Sequence, residues 1–303
     1  MKRLALVLLL AAGPAAAGPA APPTENVTVT GARSRQVLEK FVESVTTASR
    51  ITGKLARWQD GVCPVTAGLA PRFAAFISQH IKDVAAKVGA PAAARTDCKV
   101  NIEIVFTTTP QALISNVRAR HRALLGYYDN EDQLDRLATV SRPIQAWYTT
   151  ATRDLRGKQE VDTGQRAGIG LAVPCAFCPG GTVYLPNATA ASVTGSRLGD
   201  GLTSSLYHVI IAADPDRIKD YEIGPLADYI AMLALAQVNI PAGCQPLSSI
   251  INLLLPGCGE KSVALTDADL GYLRGLYRMS GGRTLRIQQD QIAYQMEQTL
   301  AGR

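Results

Sequence analysis

The sequence predicts an α+β domain, a small mixed β-sheet covered by helices. Three observations carry that expectation. Val100, Ile102, Ile104 and Phe106 alternate with Asn101, Glu103 and Val105, the period of a half-buried strand. Leu206–Ala213 is apolar enough for a central strand and is broken by Asp214-Pro215. Several segments around these runs repeat apolar residues at helical spacing.

The chain begins with a three-part pattern: Lys2 and Arg3, the unbroken apolar run Leu4–Ala12, and the small residues Ala15-Ala16-Ala17. This is the form of a cleavable secretory signal, with cleavage near Ala17 or Ala21. The apolar run is about half as long as a membrane-spanning helix requires. No later stretch is long and apolar enough either, so no transmembrane anchor is expected. The predicted organisation is a signal peptide over residues 1–21 and a flexible leader over 22–33. A single α+β domain follows over 34–303, with a loop-rich excursion at about 160–203.

Within the domain, Val37, Leu38, Phe41, Val42, Val45 and Ala48 mark a first amphipathic helix, with Gly53 closing the region. The second runs over Pro71–Val88, with Phe73, Ile77, Ile81, Val84 and Val88 as its stripe. Pro71 suits its first turn and Gly89 its exit. After the strand ending at Phe106, Pro110 opens another helix. Residues 126–160 read as helical in pieces, with Trp147 and Tyr148 as packing anchors.

The helix over Pro225–Val238 is apolar nearly all round, which requires burial on most sides. Two shorter helices are expected around Pro246–Leu255 and Thr266–Arg278. The latter starts with Thr266 as N-cap, Asp269 in the capping-box position, and Leu265 with Leu270 as a hydrophobic staple. A last helix begins at Thr284 and carries Ile292, Met296 and Leu300.

The six cysteines are Cys63, Cys98, Cys175, Cys178, Cys244 and Cys258, an even number that points to disulfides in an exported chain. Proximity favours Cys63 with Cys98 and Cys244 with Cys258, leaving Cys175 and Cys178 for each other or for a partner. Cys175 and Cys178 have redox-pair spacing, but Pro179-Gly180-Gly181 follows where a thiol oxidoreductase would open a helix. A plain disulfide pinning an exposed loop is the simpler reading.

The net charge of +6 falls to +4 once Lys2 and Arg3 leave with the signal. That balance is no nucleic-acid signature, and the one basic knot, Arg118, Arg120, His121 and Arg122, lacks aromatic stacking partners. There is no Gly-x-Ser-x-Gly elbow and no glycine-rich phosphate loop. His80 sits beside the stripe of its helix and reads as a structural or surface residue. His208 reads as paired inside the sheet.

Four segments, taken in order, carry a resemblance: Val100–Phe106, the helix Leu226–Asn239, the apolar Ser249–Leu254, and Leu265–Tyr277 followed by Gly281-Gly282. In this order they resemble a family of exported bacterial proteins of unknown function with a zincin-like, metallopeptidase-type core. In that family the buried helix carries a His-Glu pair, similar to the first half of the zinc-binding His-Glu-x-x-His signature. The corresponding helix here reads Ala227-Asp228-Tyr229-Ile230-Ala231-Met232-Leu233-Ala234-Leu235, with neither histidine nor glutamate. A zincin needs two histidines one turn apart and a glutamate between them. The three histidines here, His80, His121 and His208, lie on three different elements.

The resemblance therefore implies a degenerate zincin-like fold with no metal, no cofactor and no peptidase activity. Glu222, Asp228 and Tyr229 are the candidate cleft residues, Asp228 having as its plainer reading an exposed first-turn aspartate favoured by the helix dipole. The function expected is a non-catalytic periplasmic or secreted protein that binds a peptide, a protein or an envelope component, and no nucleic acid. The alternatives are a hydrolase using Glu222 and Asp228, or a thiol protein using Cys175 and Cys178.

Overall fold

The computed structural model describes residues 31–91, 93, 97–164, 171–174, 182–185, 194, 200–259 and 261–302. The elements are α1 (Gly31–Val45), β1 (Ala56–Arg57), β2 (Pro64–Ala67), α2 (Pro71–Val88), β3 (Ile102–Phe106), α3 (Pro110–His121), α4 (Glu131–Leu137), β4 (Ile144–Arg153) and β5 (Gln159–Val161). They continue with β6 (Leu171–Pro174), β7 (Thr182–Leu185), β8 (Thr203–Ala213), α5 (Pro215–Ile218), α6 (Ile223–Leu235), α7 (Asp267–Arg278) and α8 (Leu285–Ala301). Short 3₁₀ turns cover Arg122–Leu125 and Ile250–Leu254. The fold is α+β: a mixed six-stranded open sheet with eight helices among the described residues.

Along the sheet the strands run β2-β3-β8-β4-β5, and β1 pairs with the start of β8. β2, β3 and β8 are parallel, whereas β4 lies antiparallel to β8 and β5 antiparallel to β4. β6 and β7 form a separate antiparallel pair. The disulfide Cys63–Cys98 ties the entry of β2 to the approach to β3, where Pro64 faces Ile102. Cys244–Cys258 closes the loop after α6. Both pairings are those that proximity favours. Cys175 and Cys178 lie outside the described residues.

β8 shows how local geometry sorts side chains. Its pairing with β4 shifts between Thr149↔His208 and Thr150↔Leu206, so Tyr207 is an extra residue on that strand. A bulge flips the alternation. Leu206 therefore joins Val209, Ile211 and Ala213 in the larger core, and Ile210 and Ala212 face the smaller one. The larger core holds the apolar stripes of α1, α2, α6, α7 and α8. The smaller, on the opposite face, gathers Ile114, Leu125, Tyr128, Leu134 and Trp147.

α6 is buried over Leu226, Ala227 and Tyr229–Leu235, as its composition requires. Such burial creates a problem at its end, because the last four carbonyls of a helix have no partner within it. Here each finds one. The Met232 carbonyl accepts the Ala236 N–H at 3.2 Å, and the Leu233 carbonyl accepts the Tyr148 hydroxyl at 3.0 Å. The Ala234 carbonyl accepts the Trp58 indole N–H at 2.8 Å, and the Leu235 carbonyl accepts the Tyr277 hydroxyl at 2.7 Å. Burial pushes the Tyr148 and Tyr277 hydroxyls well above the ordinary phenol range, so both stay protonated donors. Tyr277→Phe should leave a buried carbonyl unmet and cost about 1–2 kcal/mol. A denaturant midpoint equal to that of the native chain would show that the Leu235 carbonyl does not depend on this hydroxyl.

The start of α7 is the capping box that its sequence predicts, with Thr266 and Asp269 exchanging hydrogen bonds. Asp269 does more than cap. Fully buried, it accepts the Thr266 N–H at 2.9 Å and the Thr266 hydroxyl at 2.9 Å. It also accepts the Ser249 hydroxyl at 2.6 Å and the Ile250 N–H at 2.8 Å. Burial raises its carboxyl pKa while those four donors pull the other way. At the other end of α7, Arg57 donates to the carbonyls of Leu276, Tyr277 and Met279 at 3.1, 2.6 and 2.9 Å. A guanidinium there complements the negative end of the helix dipole.

Two expectations are corrected. Residues 126–160 are not mainly helical: only Glu131–Leu137 is α-helix, and Ile144–Arg153 and Gln159–Val161 are strands. The segment Ile144–Thr152 is rich in β-branched and aromatic residues, which favour a pleated sheet over a helix. The first helix ends at Val45 rather than near Gly53. Beyond it Thr46 bridges to Val238 and Ala48 to Leu55, which takes that segment into extended backbone.

Candidate functional site

The candidate cleft residues do not converge. Glu222 is the N-cap of α6 and is exposed, and its side chain makes no capping hydrogen bond. Tyr229 is buried in the larger core, where burial raises its hydroxyl pKa. Asp228 is half-buried rather than exposed at a helix start. One of its oxygens lies 2.6 Å from His80 Nε2 and the other accepts the Leu265 N–H at 3.2 Å. The His80 ring stacks on Phe76 with centroids 5.8 Å apart. Asp228 thus joins α2, α6 and the entry to α7. Six residues along a helix place Glu222 and Asp228 roughly 120° apart around the axis and about 9 Å apart along it.

The other histidines stand elsewhere. His208 on β8 lies 3.2 Å from Glu103 on the neighbouring β3, a pairing inside the sheet as expected from its strand. Its Nδ1 is buried with no hydrogen-bond partner. His121 closes α3. Among the described residues no group of three or more His, Cys, Asp or Glu side chains is placed to hold a metal ion. No helix of the described residues is long and apolar enough to cross a membrane.

A concavity lies along β4, within the segment whose sequence pattern reads as helical in pieces. On one side β4 pairs with β8 over its whole length, from Ile144↔Ala213 to Arg153↔Thr203. On the other side β5 covers only Ala151–Arg153. In an antiparallel strand successive residues turn their backbone groups to opposite sides. The Thr150 carbonyl accepts the Asp162 N–H at 2.8 Å, away from β8, and the Pro143 carbonyl accepts the Asp214 N–H at 2.9 Å, on the β8 side. By that alternation Ala146 and Tyr148 turn their N–H and C=O groups to the outer edge, whereas Ile144, in the same phase, is fully buried. The Tyr148 carbonyl faces Gly126, where an added Cβ would stand 2.6 Å from its oxygen.

This edge forms one wall of a groove of about 640 Å³. Its other walls are the segment Thr47–Arg50, which leaves α1, and the stretch from Leu125 through α4. Gln237, just past the end of α6, also lines it, and its Oε1 is buried with no hydrogen-bond partner. Among the described residues, Arg50 and Arg136 are the charged side chains on the walls. Arg50 lies 3.1 Å from Asp129. Hydrogen bonds with Tyr127 and Gln133 hold the Asp129 carboxyl below its ordinary range, with a smaller push from Arg50.

At the far end of β4 the edge is sealed. Asp162 is fully buried and accepts the hydroxyls of Thr150 and Thr152 at 2.7 and 2.8 Å, fastening β5 to β4. Nearby, buried Lys54 holds Asp200 and donates to the Leu202 carbonyl at 2.6 Å, which anchors the entry to β8. Burial works against the Asp200 carboxylate, yet its hydrogen bond with Lys54 keeps its pKa below the ordinary range.

Composition signals for β4 were present in Trp147, Tyr148 and the threonines that follow. The convergence of Gln237, Arg50 and Arg136 on its edge had no local signal. Comparisons of the chain with models of protein families, with curated proteins and with solved structures find no match.

Proposed function

We propose that this chain is an exported, non-catalytic binding protein on a degenerate zincin-like core, and that it takes up an extended segment of a peptide, protein or envelope component along β4. The observation that carries the proposal is the outer edge of β4 at Ala146 and Tyr148, which β5 does not reach, beside a groove of about 640 Å³. An unpaired row of backbone donors and acceptors is a template for one more strand, and main-chain hydrogen bonds then supply the affinity. β4 is the strand that runs against its parallel neighbours, and the groove lies at the C-terminal end of α6, the helix on which the resemblance rests.

Periplasmic or secreted placement is supported by the signal-like N-terminus and by the two disulfides, which persist in oxidising compartments. The hydrolase alternative draws less support, because Asp228 is engaged by His80 and the Leu265 N–H, away from Glu222. The thiol alternative rests on Cys175 and Cys178, outside the described residues.

The test uses acetylated, amidated hexapeptides of valine alternating with threonine, glutamate or lysine, each at about 1 mM, the weak end of peptide affinities. Amide hydrogen exchange should slow at Ala146 and Tyr148. N-methylation of alternate peptide nitrogens should abolish the effect, because it removes the donors a new strand needs. Protection that survives N-methylation, or no protection with any peptide, would overturn the proposal.

A further inference from the structure

Resting on that reading, we infer that the groove beside β4 selects an extended segment carrying an acidic side chain, with Arg136 as the residue that reads it. The charge arrangement points this way. Among the described residues, Arg50 and Arg136 line the groove and no carboxylate does. Arg50 is already shared with Asp129 at 3.1 Å. Arg136 is exposed and has no carboxylate within ion-pair distance among the described residues.

That freedom has a structural cause. The neighbouring acids of α4 are committed to cations of another helical segment. Glu131 lies 3.6 Å from Arg118 and 3.3 Å from Arg122, and Asp135 is paired with Arg118. Asp132, one turn before Arg136, makes no ion pair with it. α4 therefore turns a spent acidic face towards α3 and one uncommitted guanidinium towards the groove. A guanidinium presents a fork of donors that matches a carboxylate.

A second, independent observation concerns the backbone of the occupant. Gln237 Oε1 is buried on the groove wall and accepts no hydrogen bond. A buried acceptor left empty is costly, and a turn of this side chain towards the groove lets it meet a peptide N–H entering beside Ala146 and Tyr148. Arg136 and Gln237 then divide the work. The first senses side-chain charge, and the second contributes to binding of any extended backbone.

The same three hexapeptide sequences test this, now by their ranking in fluorescence anisotropy with fluorescein in place of the N-terminal acetyl group. The glutamate peptide should bind about tenfold more tightly than the threonine peptide, the change that one favourable charge-assisted contact of about 1.4 kcal/mol makes. The lysine peptide should bind most weakly. Arg136→Gln should bring the glutamate and threonine peptides within about twofold of each other. Gln237→Leu should weaken all three while keeping their order.

Equal binding of all three peptides, with Ala146 and Tyr148 protected, would remove the acid selectivity and leave the edge-binding function standing. An acid preference that survives Arg136→Gln would overturn the inference as well. No protection by any peptide would remove both. Protection of Ala146 and Tyr148 that rises with protein concentration in the absence of peptide would give the edge to a second copy of the chain, and the inference would fall.

Discussion

Asp269→Ala is expected to destabilise the folded chain by about 3 kcal/mol, the scale for stranding buried donors around a lost charge. The carboxylate accepts four hydrogen bonds, two from backbone N–H groups of Ile250 and Thr266 and two from the hydroxyls of Ser249 and Thr266. An amide of the same shape has one acceptor oxygen and two N–H groups. Both backbone N–H groups meet Oδ2, whereas Oδ1 meets only the Ser249 hydroxyl, so an amide that keeps its oxygen at the Oδ2 position strands no backbone donor, and the hydroxyl can rotate to accept from its NH₂. Alanine strands both N–H groups, which lie in the buried joint between the Ile250–Leu254 turn and α7. Asp269→Asn serves as a second measurement and should cost less than the alanine variant, since it keeps the acceptances at Oδ2. Urea unfolding followed by circular dichroism reads both. A stability for Asp269→Ala within about 0.5 kcal/mol of the native chain, the range of ordinary surface changes, would mean that this joint does not depend on the carboxylate.

Gly68→Ala is expected to be at least as damaging. Gly68 follows β2 with φ of +84°, and a Cβ there would stand 1.9 Å from the Phe106 carbonyl oxygen at the end of β3. The left-handed backbone alone costs an L-residue about 1–2 kcal/mol. The clash adds to this, because its partner is backbone and no side chain can swing away. Relief requires the end of β2 to part from β3, although Thr66↔Ile104 and Ala67↔Val105 pair just before it. A total near 3 kcal/mol corresponds to a fall in Tm of about 6–12 °C for a domain of this size. Gly53→Ala is the informative contrast: φ there is +65°, but nothing lies within 4 Å of the added Cβ. It should show the backbone cost alone. Equal Tm values for the two variants would show that the close approach at Gly68 relaxes freely.

Several features were legible because they are written in neighbouring residues. α2 starts at Pro71 and ends at Val88 as its stripe and flanking residues require, and Thr266 with Asp269 announces the start of α7. β3 and β8 follow from alternation and from an apolar run. The disulfides Cys63–Cys98 and Cys244–Cys258 follow from short separations of 35 and 14 residues. Each of these signals operates within one or two turns, one strand or one short loop, where chain connectivity already holds the partners close.

The site was not legible in the same way. Asp228 meets His80 across 148 residues, and Tyr148 reaches the Leu233 carbonyl across 85. Composition alone recommends β4 as a strand, but which of its edges stays open depends on β5 stopping at Ala151 and on β8 filling the other side. By itself the sequence determined which segments would be helix or strand wherever periodicity and capping are local, and proximity along the chain favoured the pairings Cys63–Cys98 and Cys244–Cys258. Only the tertiary structure decided that a free strand edge, an unmatched glutamine and an uncommitted arginine share one groove. A strand pairs through backbone groups that are the same in every residue, so the edge left open is settled by packing around the whole sheet.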